Sequence, residues 1–170
     1  LKKRGLNKSV TLEAKPARAI TSLTAEHFDR IIALDSAYHF RTRRLFINEA
    51  WRVLKPGGKL GLIDILPTER ALRMPTKLIT RVAAKLMYIP SDNLQNLNDY
   101  QAMLTSSGFE KVEAIDISPH IFDGFADHVR AQSDHRQKTW RKMRLTASWL
   151  TNLYQRESIQ AIRVLACKPS

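Results

Sequence analysis

The sequence lacks any apolar run of the roughly 18 residues that a membrane-spanning helix requires. It is also poor in cysteine: Cys167 is the single one, so no disulfide can form within the chain. Cys167 follows the apolar run 162–166, and we predict that it lies in a buried strand. So little cysteine is typical of a reducing compartment, and we expect a cytoplasmic protein.

Acidic residues are scarce relative to basic ones. The chain has 16 aspartates and glutamates and 28 lysines and arginines, so its formal net charge is +12. Nucleic-acid binding typically gathers such charge into one patch. Here the basic residues are spread along the chain, and no basic run reaches five residues. We interpret the charge as a solvated surface and expect no nucleic-acid partner. The sequence assigns no oligomeric state.

A metal-ligand pattern is also missing. Four of the five histidines, His27, His120, His128 and His135, lack metal-ligand spacing to a cysteine or to a cluster of acids. We interpret each of the four as a surface or lid residue and expect no metal.

The predicted elements alternate between strand and helix, which indicates an α/β fold with a largely parallel sheet. Two continuous apolar runs are typical of strands buried on both faces. The predicted strands are 9–13, 29–35, 59–65, 112–117 and 159–167. The last two have the pattern of an antiparallel terminal pair.

Helices are predicted between these strands. Thr42 can cap a helix that Pro56-Gly57-Gly58 stops. Pro75 can begin a helix over 74–87, and Asn98 with Gln101 has capping-box spacing for a helix that runs to Gly108. Residues 122–154 are predicted to be mostly helical, with a break near 133–134.

The stretch 28–65, FDRIIALDSAYHFRTRRLFINEAWRVLKPGGKLGLIDI, resembles the second half of a class I S-adenosylmethionine-dependent methyltransferase domain of the small-molecule, type 11-like kind. The resemblance rests on the strand ending in Asp35, the Arg-Val-Leu-Lys-Pro-Gly-Gly turn and the strand ending in Asp64. Residues 100–109 and 162–167 are similar to the helix before the sixth strand of this family and to its last strand.

The resemblance implies a partial seven-strand Rossmann-like sheet over residues 1–170, with lid-type helical inserts at about 68–95 and 119–157. The glycine-rich loop of the family and its first two strands are missing from these residues. We therefore expect a fragment of a longer protein. We also expect an apolar sheet edge at 31–35, where the first strand of the family would pair.

The resemblance implies S-adenosyl-L-methionine as cofactor. It places Leu34, Asp35 and Ser36 beside the methionine part of the cofactor. In the family an acid and a small residue follow the third strand, where the acid contacts the adenine. Here the matching pair is Pro16-Ala17, so proline replaces the acid and Ala17 remains as the cofactor residue.

Ligands of open α/β sheets bind beyond the carboxyl ends of the strands, so the catalytic candidates lie within residues 35–40 and 64–66. His39 is the candidate base or acceptor-orienting group, because histidine titrates near neutral pH. Asp64 is predicted to orient His39 or to bind an ammonium group, and Tyr38 to close over cofactor or acceptor. The alternatives are that His39 only caps a strand end and that Tyr38 only packs under the lid.

The predicted function is methyl transfer to a small organic or lipid-like acceptor, with this fragment alone inactive. The alternative is a truncated, non-catalytic interaction module. The segment 74–87 has two interpretations. One is a lid helix that packs Leu78, Val82 and Leu86 over the acceptor pocket. The other is a basic amphipathic helix, with Lys77, Arg81 and Lys85, that makes a weak contact with an anionic membrane surface.

Overall fold

The computed structural model describes residue 10 and residues 14–132 and 138–170, with only the backbone described at 17, 18, 138 and 139. The predicted strand 9–13 lies outside the described residues except for Val10, which is not in a strand. The predicted break at 133–134 lies outside them as well.

The described residues form one four-stranded sheet with helices between its strands. The strands are β1 (Phe28–Leu34), β2 (Leu54–Pro67), β3 (Glu110–Asp116) and β4 (Ile159–Cys167). The helices are α1 (Arg43–Val53), α2 (Glu69–Leu72), α3 (Thr76–Leu86), α4 (Leu97–Ser106), α5 (Gly124–Ala131) and α6 (Lys138–Gln155). Short 3₁₀ helices cover Ala17–Ser22, Ala37–His39 and Ser91–Asn93, and a π-helical turn covers Pro119–Asp123.

The strand order is β1-β2-β4-β3. β1 is parallel to β2, whereas β4 is antiparallel to both of its neighbours. The predicted α/β class and the antiparallel terminal pair are therefore confirmed. Because β1 and β2 are parallel, their carboxyl ends meet at one edge of the sheet, which is where ligands of such sheets bind.

Some helix ends lie where the sequence predicted them, and others do not. The Thr42 hydroxyl accepts a hydrogen bond from the Leu45 amide, as an N-cap does. The turn at Pro56-Gly57-Gly58 does not stop α1, which already ends at Val53. Instead it forms an irregular start of β2, whose regular pairing with β1 resumes at Lys59. The cap of α4 is Asn96, not Asn98, because the Asn96 side chain accepts from the Asp99 amide.

The core lies on one face of the sheet. Ile47 and Ala50 of α1 and Tyr100 and Met103 of α4 pack there, against Leu62 of β2. Residues in register point to the same face, so Ala33, Leu62 and Val164 share the core side.

The opposite face of the sheet exposes apolar side chains. Ile32 of β1 and Leu165 of β4 flank Gly61 across the sheet and are 68% and 44% exposed. In the next row lie Leu34 and Ile115, 61% and 40% exposed. The prediction that β1 is buried on both faces is therefore wrong for this chain, because among the described residues no helix covers this side. Cys167 is half-buried where burial was predicted.

Candidate functional site

The candidate site begins where β1 ends. The Asp35 amide donates to the Ile63 carbonyl at 2.9 Å, which holds the end of β1 against β2. Asp35 then takes a left-handed backbone conformation, with φ of 49°, and turns the chain out of the sheet. The 3₁₀ helix Ala37–His39 follows, so Tyr38 and His39 stand at the carboxyl edge of the sheet.

Tyr38 and Asp35 form the first polar pair of the site. The Tyr38 hydroxyl donates to Asp35 Oδ1 at 2.9 Å. Partial burial of the phenol, followed by the charge of Asp35 and this hydrogen bond, raises the pKa of Tyr38 well above its ordinary value. Tyr38 is therefore a neutral hydrogen-bond donor at physiological pH.

His39 lies directly against Tyr38, with ring centroids 4.3 Å apart. Its Nδ1 is 3.3 Å from the carbonyl oxygen of Tyr88. Because a carbonyl oxygen only accepts, this contact assigns the proton to Nδ1 and leaves Nε2 of the neutral ring as an acceptor. The His39 side chain is exposed, so Nε2 is available to an incoming hydroxyl group.

The contacts of Asp64 differ from those that the sequence predicted. It was predicted to orient His39 or to bind an ammonium group, but its carboxylate is fully buried and accepts from Arg43 Nε at 2.8 Å. It also accepts from the Tyr100 hydroxyl at 3.1 Å and from the Ile65 amide. Burial raises the pKa of Asp64, and Arg43 opposes that shift. The described contacts thus join Asp64 to the core and not to His39.

Arg43 and Asn93 are the residues that sequence reasoning missed. Arg43 Nη1 donates to the Asn93 carbonyl at 2.6 Å and to the Gln95 side chain at 2.7 Å. The Asn93 side chain in turn donates to the Tyr38 and Phe40 carbonyls at 2.9 and 2.7 Å. This network fixes the loop that carries Tyr38 and His39. Its one local signal is Asn93 within Ser91-Asp92-Asn93, a composition typical of a turn.

An apolar cavity of about 600 Å³ opens beyond the carboxyl end of β2. Tyr38 lines it from the β1 side, and Ile65 and Leu66 line it from β2. α3 contributes Ile79 and Ala83, and further residues of α6 contribute as well, namely Trp149, Leu150 and Leu153. Both segments predicted as lid-type inserts therefore border the same cavity.

The structure separates Ala17 from the other predicted cofactor residues. The 3₁₀ helix that contains Ala17 is held by Arg52, in the last turn of α1, which donates to the Ile20 and Thr21 carbonyls. Leu34 and Asp35 lie at the carboxyl end of β1, away from the 3₁₀ helix that contains Ala17. Ser36 follows them, and its carbonyl oxygen accepts a hydrogen bond from the His39 amide at 3.0 Å. The structure thus brings five of the seven predicted residues together: Leu34, Asp35, Ser36, Tyr38 and His39.

Within the described residues, no three histidine, cysteine or acidic side chains are grouped so that they could hold a metal ion. No helix in the described part of the chain is long and apolar enough to cross a membrane.

Residues 1–62 match the model of a family described as a methyltransferase domain. Over 108 residues the chain is 34% identical to erythromycin 3''-O-methyltransferase of Saccharopolyspora erythraea, which covers 61% of this chain and 35% of that protein. Over 95 residues it is 35% identical to 27-O-demethylrifamycin SV methyltransferase of Amycolatopsis mediterranei, covering 55% and 33%. The chain spans about a third of the length of these curated relatives.

The fold agrees with solved methyltransferase structures. The geranyl diphosphate C-methyltransferase of Streptomyces coelicolor superposes with a TM-score of 0.70, over 98% of this chain and 57% of that one. At 15% identity this likeness is one of fold. The chain is thus related to the class I S-adenosylmethionine-dependent methyltransferases and has part of their Rossmann-like sheet, as the sequence resemblance predicted. Within that class, its curated relatives include O-methyltransferases of small molecules.

Proposed function

We propose that this chain is part of an enzyme that transfers a methyl group from S-adenosyl-L-methionine to a small organic or lipid-like acceptor, in the cytoplasm. The observation that carries the proposal is the position of Tyr38 and His39. Tyr38, which follows the carboxyl end of β1, lines an apolar cavity large enough for a small organic molecule, and the ring of His39 lies against Tyr38.

The residues at the end of β1 fit the cofactor. Leu34 offers an exposed apolar side chain, and the Asp35 carboxylate is exposed, with only its Oδ1 engaged, by Tyr38, in the described part of the chain. A carboxylate with a free oxygen accepts hydrogen bonds from an ammonium group such as that of the methionine part. Leu34, Asp35 and Ser36 would hold this end of the cofactor, and Ala17 stays a proposed contact for the adenine. When bound, the cofactor supplies a methyl group already activated on a sulfonium.

The catalytic role that the geometry supports best belongs to His39. Its Nε2 would accept the proton of an acceptor hydroxyl, while the Tyr88 carbonyl holds Nδ1–H and fixes the tautomer. Tyr38, whose hydroxyl proton is donated to Asp35, would close over the acceptor as part of the cavity wall. We propose a positioning role for Asp64 in place of the catalytic one, because it acts through Arg43 and Asn93 on the loop before α1.

The proposal is tested by methyl transfer itself. The complete protein is incubated with methyl-labelled S-adenosylmethionine and hydroxylated apolar compounds, and labelled product is extracted into an organic solvent. The proposal expects labelled product, and expects it to fall in His39→Ala. Cofactor binding without transfer to any hydroxylated, amine or carbanion-forming compound would contradict it.

The bare face of the sheet favours a second candidate function, a non-catalytic interaction module. Ile32, Leu34 and Leu165 form an exposed apolar surface of the kind that partners cover. The two functions differ in cofactor binding. A complete protein that binds a partner through this face and gives no saturable heat with S-adenosylmethionine would favour the interaction module.

The contact of segment 74–87 with a membrane surface remains a proposal. The lid interpretation required Leu78, Val82 and Leu86 to pack over the pocket, but they are 64%, 55% and 76% exposed. The cavity is bordered by Ile79 and Ala83 instead. The exposed apolar stripe beside Lys77, Arg81 and Lys85 fits an anionic lipid surface, where each cation contributes only about 1 kcal/mol. We expect weak, salt-sensitive attachment.

Co-sedimentation with vesicles checks this contact. Binding should require anionic lipid and should decrease in Leu78→Ser/Leu86→Ser. Leu145→Ser removes a similarly exposed leucine from α6 and is the control. Absence of vesicle binding at low salt would contradict the membrane contact.

A further inference from the structure

A second cavity, of about 790 Å³, adjoins the apolar one. Ala84, Ile89 and Leu94 line both cavities and form the wall between them. The second cavity has a different chemistry, because its polar lining includes His39, Arg41, Arg81, Lys85 and Asp92. We call it the basic cleft.

The fold, not the sequence, gathers these cations. Arg81 and Lys85 lie one helical turn apart on α3 and therefore share a face. Arg41 comes from the loop between the 3₁₀ helix Ala37–His39 and α1, and the fold places it in the lining of the same cavity as the two α3 cations. A linear scan for basic runs could not find such a cluster.

Cations outnumber carboxylates among the described residues that line the basic cleft. Within residues 14–132 and 138–170, no ion pair joins Arg41, Arg81 or Lys85 to a carboxylate. Asp92 is the single carboxylate among the residues that line the cleft. By contrast, Arg70, on the neighbouring helix α2, is paired with a glutamate. Converging, unpaired cations around a cavity create a positive potential that attracts anions.

Two of the three cations are arginines, whose planar guanidinium groups bind phosphate through paired hydrogen bonds. A phosphate group carries a charge of about −1.5 to −2 at neutral pH, which balances several cations better than a carboxylate does. The chemistry therefore favours a phosphate group over a carboxylate.

We propose that the basic cleft binds a phosphate group of the methyl acceptor, whose apolar body occupies the neighbouring apolar cavity. This assignment of the acceptor class rests on the proposed methyl transfer. Tyr38 lines the apolar cavity and its neighbour His39 lines the basic cleft, so the methylated atom lies at their boundary. The phosphate belongs either to a soluble phosphorylated compound or to a phospholipid head group.

Calorimetric titration of the complete protein with inorganic pyrophosphate, at low ionic strength, tests the site without knowledge of the acceptor. Saturable binding should weaken about tenfold or more in Arg41→Gln and in Arg81→Gln, since each removes charge-assisted hydrogen bonds. Lys77→Gln is the matched control, because Lys77 is exposed on α3 one turn before Arg81 but does not line the cleft. Circular dichroism establishes that each variant is folded.

The outcomes separate the possibilities. Absence of binding to pyrophosphate and to anionic vesicles, or equal weakening of pyrophosphate binding by Lys77→Gln, overturns the proposal. Binding of pyrophosphate with the expected variant pattern supports a soluble phosphorylated acceptor. Binding of phosphatidylglycerol vesicles that is weakened by Arg41→Gln, without binding of pyrophosphate, supports a phospholipid, because Arg41 lines the cleft and is not part of the α3 row proposed to contact the membrane. Titration with S-adenosylmethionine in the same samples keeps the two proposals distinct. Cofactor binding without phosphate binding contradicts only the proposed phosphate site. Phosphate binding without cofactor binding contradicts methyl transfer and the assignment of the phosphate to a methyl acceptor, but leaves a phosphate-binding cleft.

Discussion

Asp64 accepts a hydrogen bond of 2.8 Å from Arg43, and neither side chain is exposed to solvent. A fully buried ion pair of this kind is costly to break from one side, because the remaining charge stays buried without its partner. The pair also anchors Asn93, and through it the loop that carries Tyr38 and His39.

Replacing Arg43 by methionine should therefore lower the free energy of unfolding by about 3–5 kcal/mol. Chemical denaturation measures this change. Lys55→Gln, which breaks the exposed pair with Asp29, is the control and should cost less than about 1 kcal/mol. Equal effects of the two substitutions would show that the buried pair does not hold the loop.

The phenol of Tyr38 should stay protonated when ordinary tyrosines ionise, at about pH 10. Burial and Asp35 both favour its neutral form, so the folded pKa lies above the unfolded one. The associated stability is present below the unfolded pKa and is lost as pH rises through the folded pKa. In an ultraviolet titration, Tyr38→Phe and the unchanged protein should develop the same phenolate absorbance up to about pH 10. A smaller signal in Tyr38→Phe below that pH would show that Tyr38 titrates normally.

His39→Ala should lower turnover in the complete protein by about 10²–10⁴-fold and leave cofactor affinity nearly unchanged, because a general base acts only in the chemical step. Steady-state kinetics and calorimetry measure the two quantities separately. His120→Ala removes another exposed histidine and should leave turnover unaltered. Unchanged turnover in His39→Ala would contradict a catalytic role for His39 and leave it the structural role of a hydrogen bond to the Tyr88 carbonyl.

The sheet face that exposes Ile32, Leu34, Ile115 and Leu165 should make this 170-residue chain self-associate in solution, because association removes exposed apolar side chains from water. Ile32→Lys/Leu165→Lys places charges on that face and should reduce the scattering mass without lowering stability. Val164→Lys places a charge on the core face in the same strand and should unfold the chain. A monodisperse, cooperatively melting chain before any substitution would contradict this expectation.

The sequence predicted the order of the strands because each strand is marked by residues that are neighbours in the chain. The strands around Ile31 and Leu62 are short apolar runs with clear ends, and the cap at Thr42 is a local hydrogen bond. The site residues after β1 followed from the rule that ligands bind at the carboxyl ends of parallel strands.

The rest depended on contacts between distant residues. Nothing near Asp64 in the chain shows that Arg43, 21 residues earlier, takes its carboxylate. The same holds for Arg41, which meets Arg81 only through the fold. The apolar pattern of α3 predicted an amphipathic helix correctly, but periodicity cannot say whether Leu78 and Leu86 face the pocket or the solvent.

The central claim is tested most directly by calorimetric titration of the complete protein with S-adenosylmethionine. The proposed function predicts saturable heat with one cofactor per chain. It also predicts that Asp35→Asn weakens binding about tenfold, since a charge-assisted hydrogen bond is lost, while Asp99→Asn on α4 does not. Absence of saturable heat in the folded complete protein would contradict the assignment of this chain to a functioning methyltransferase.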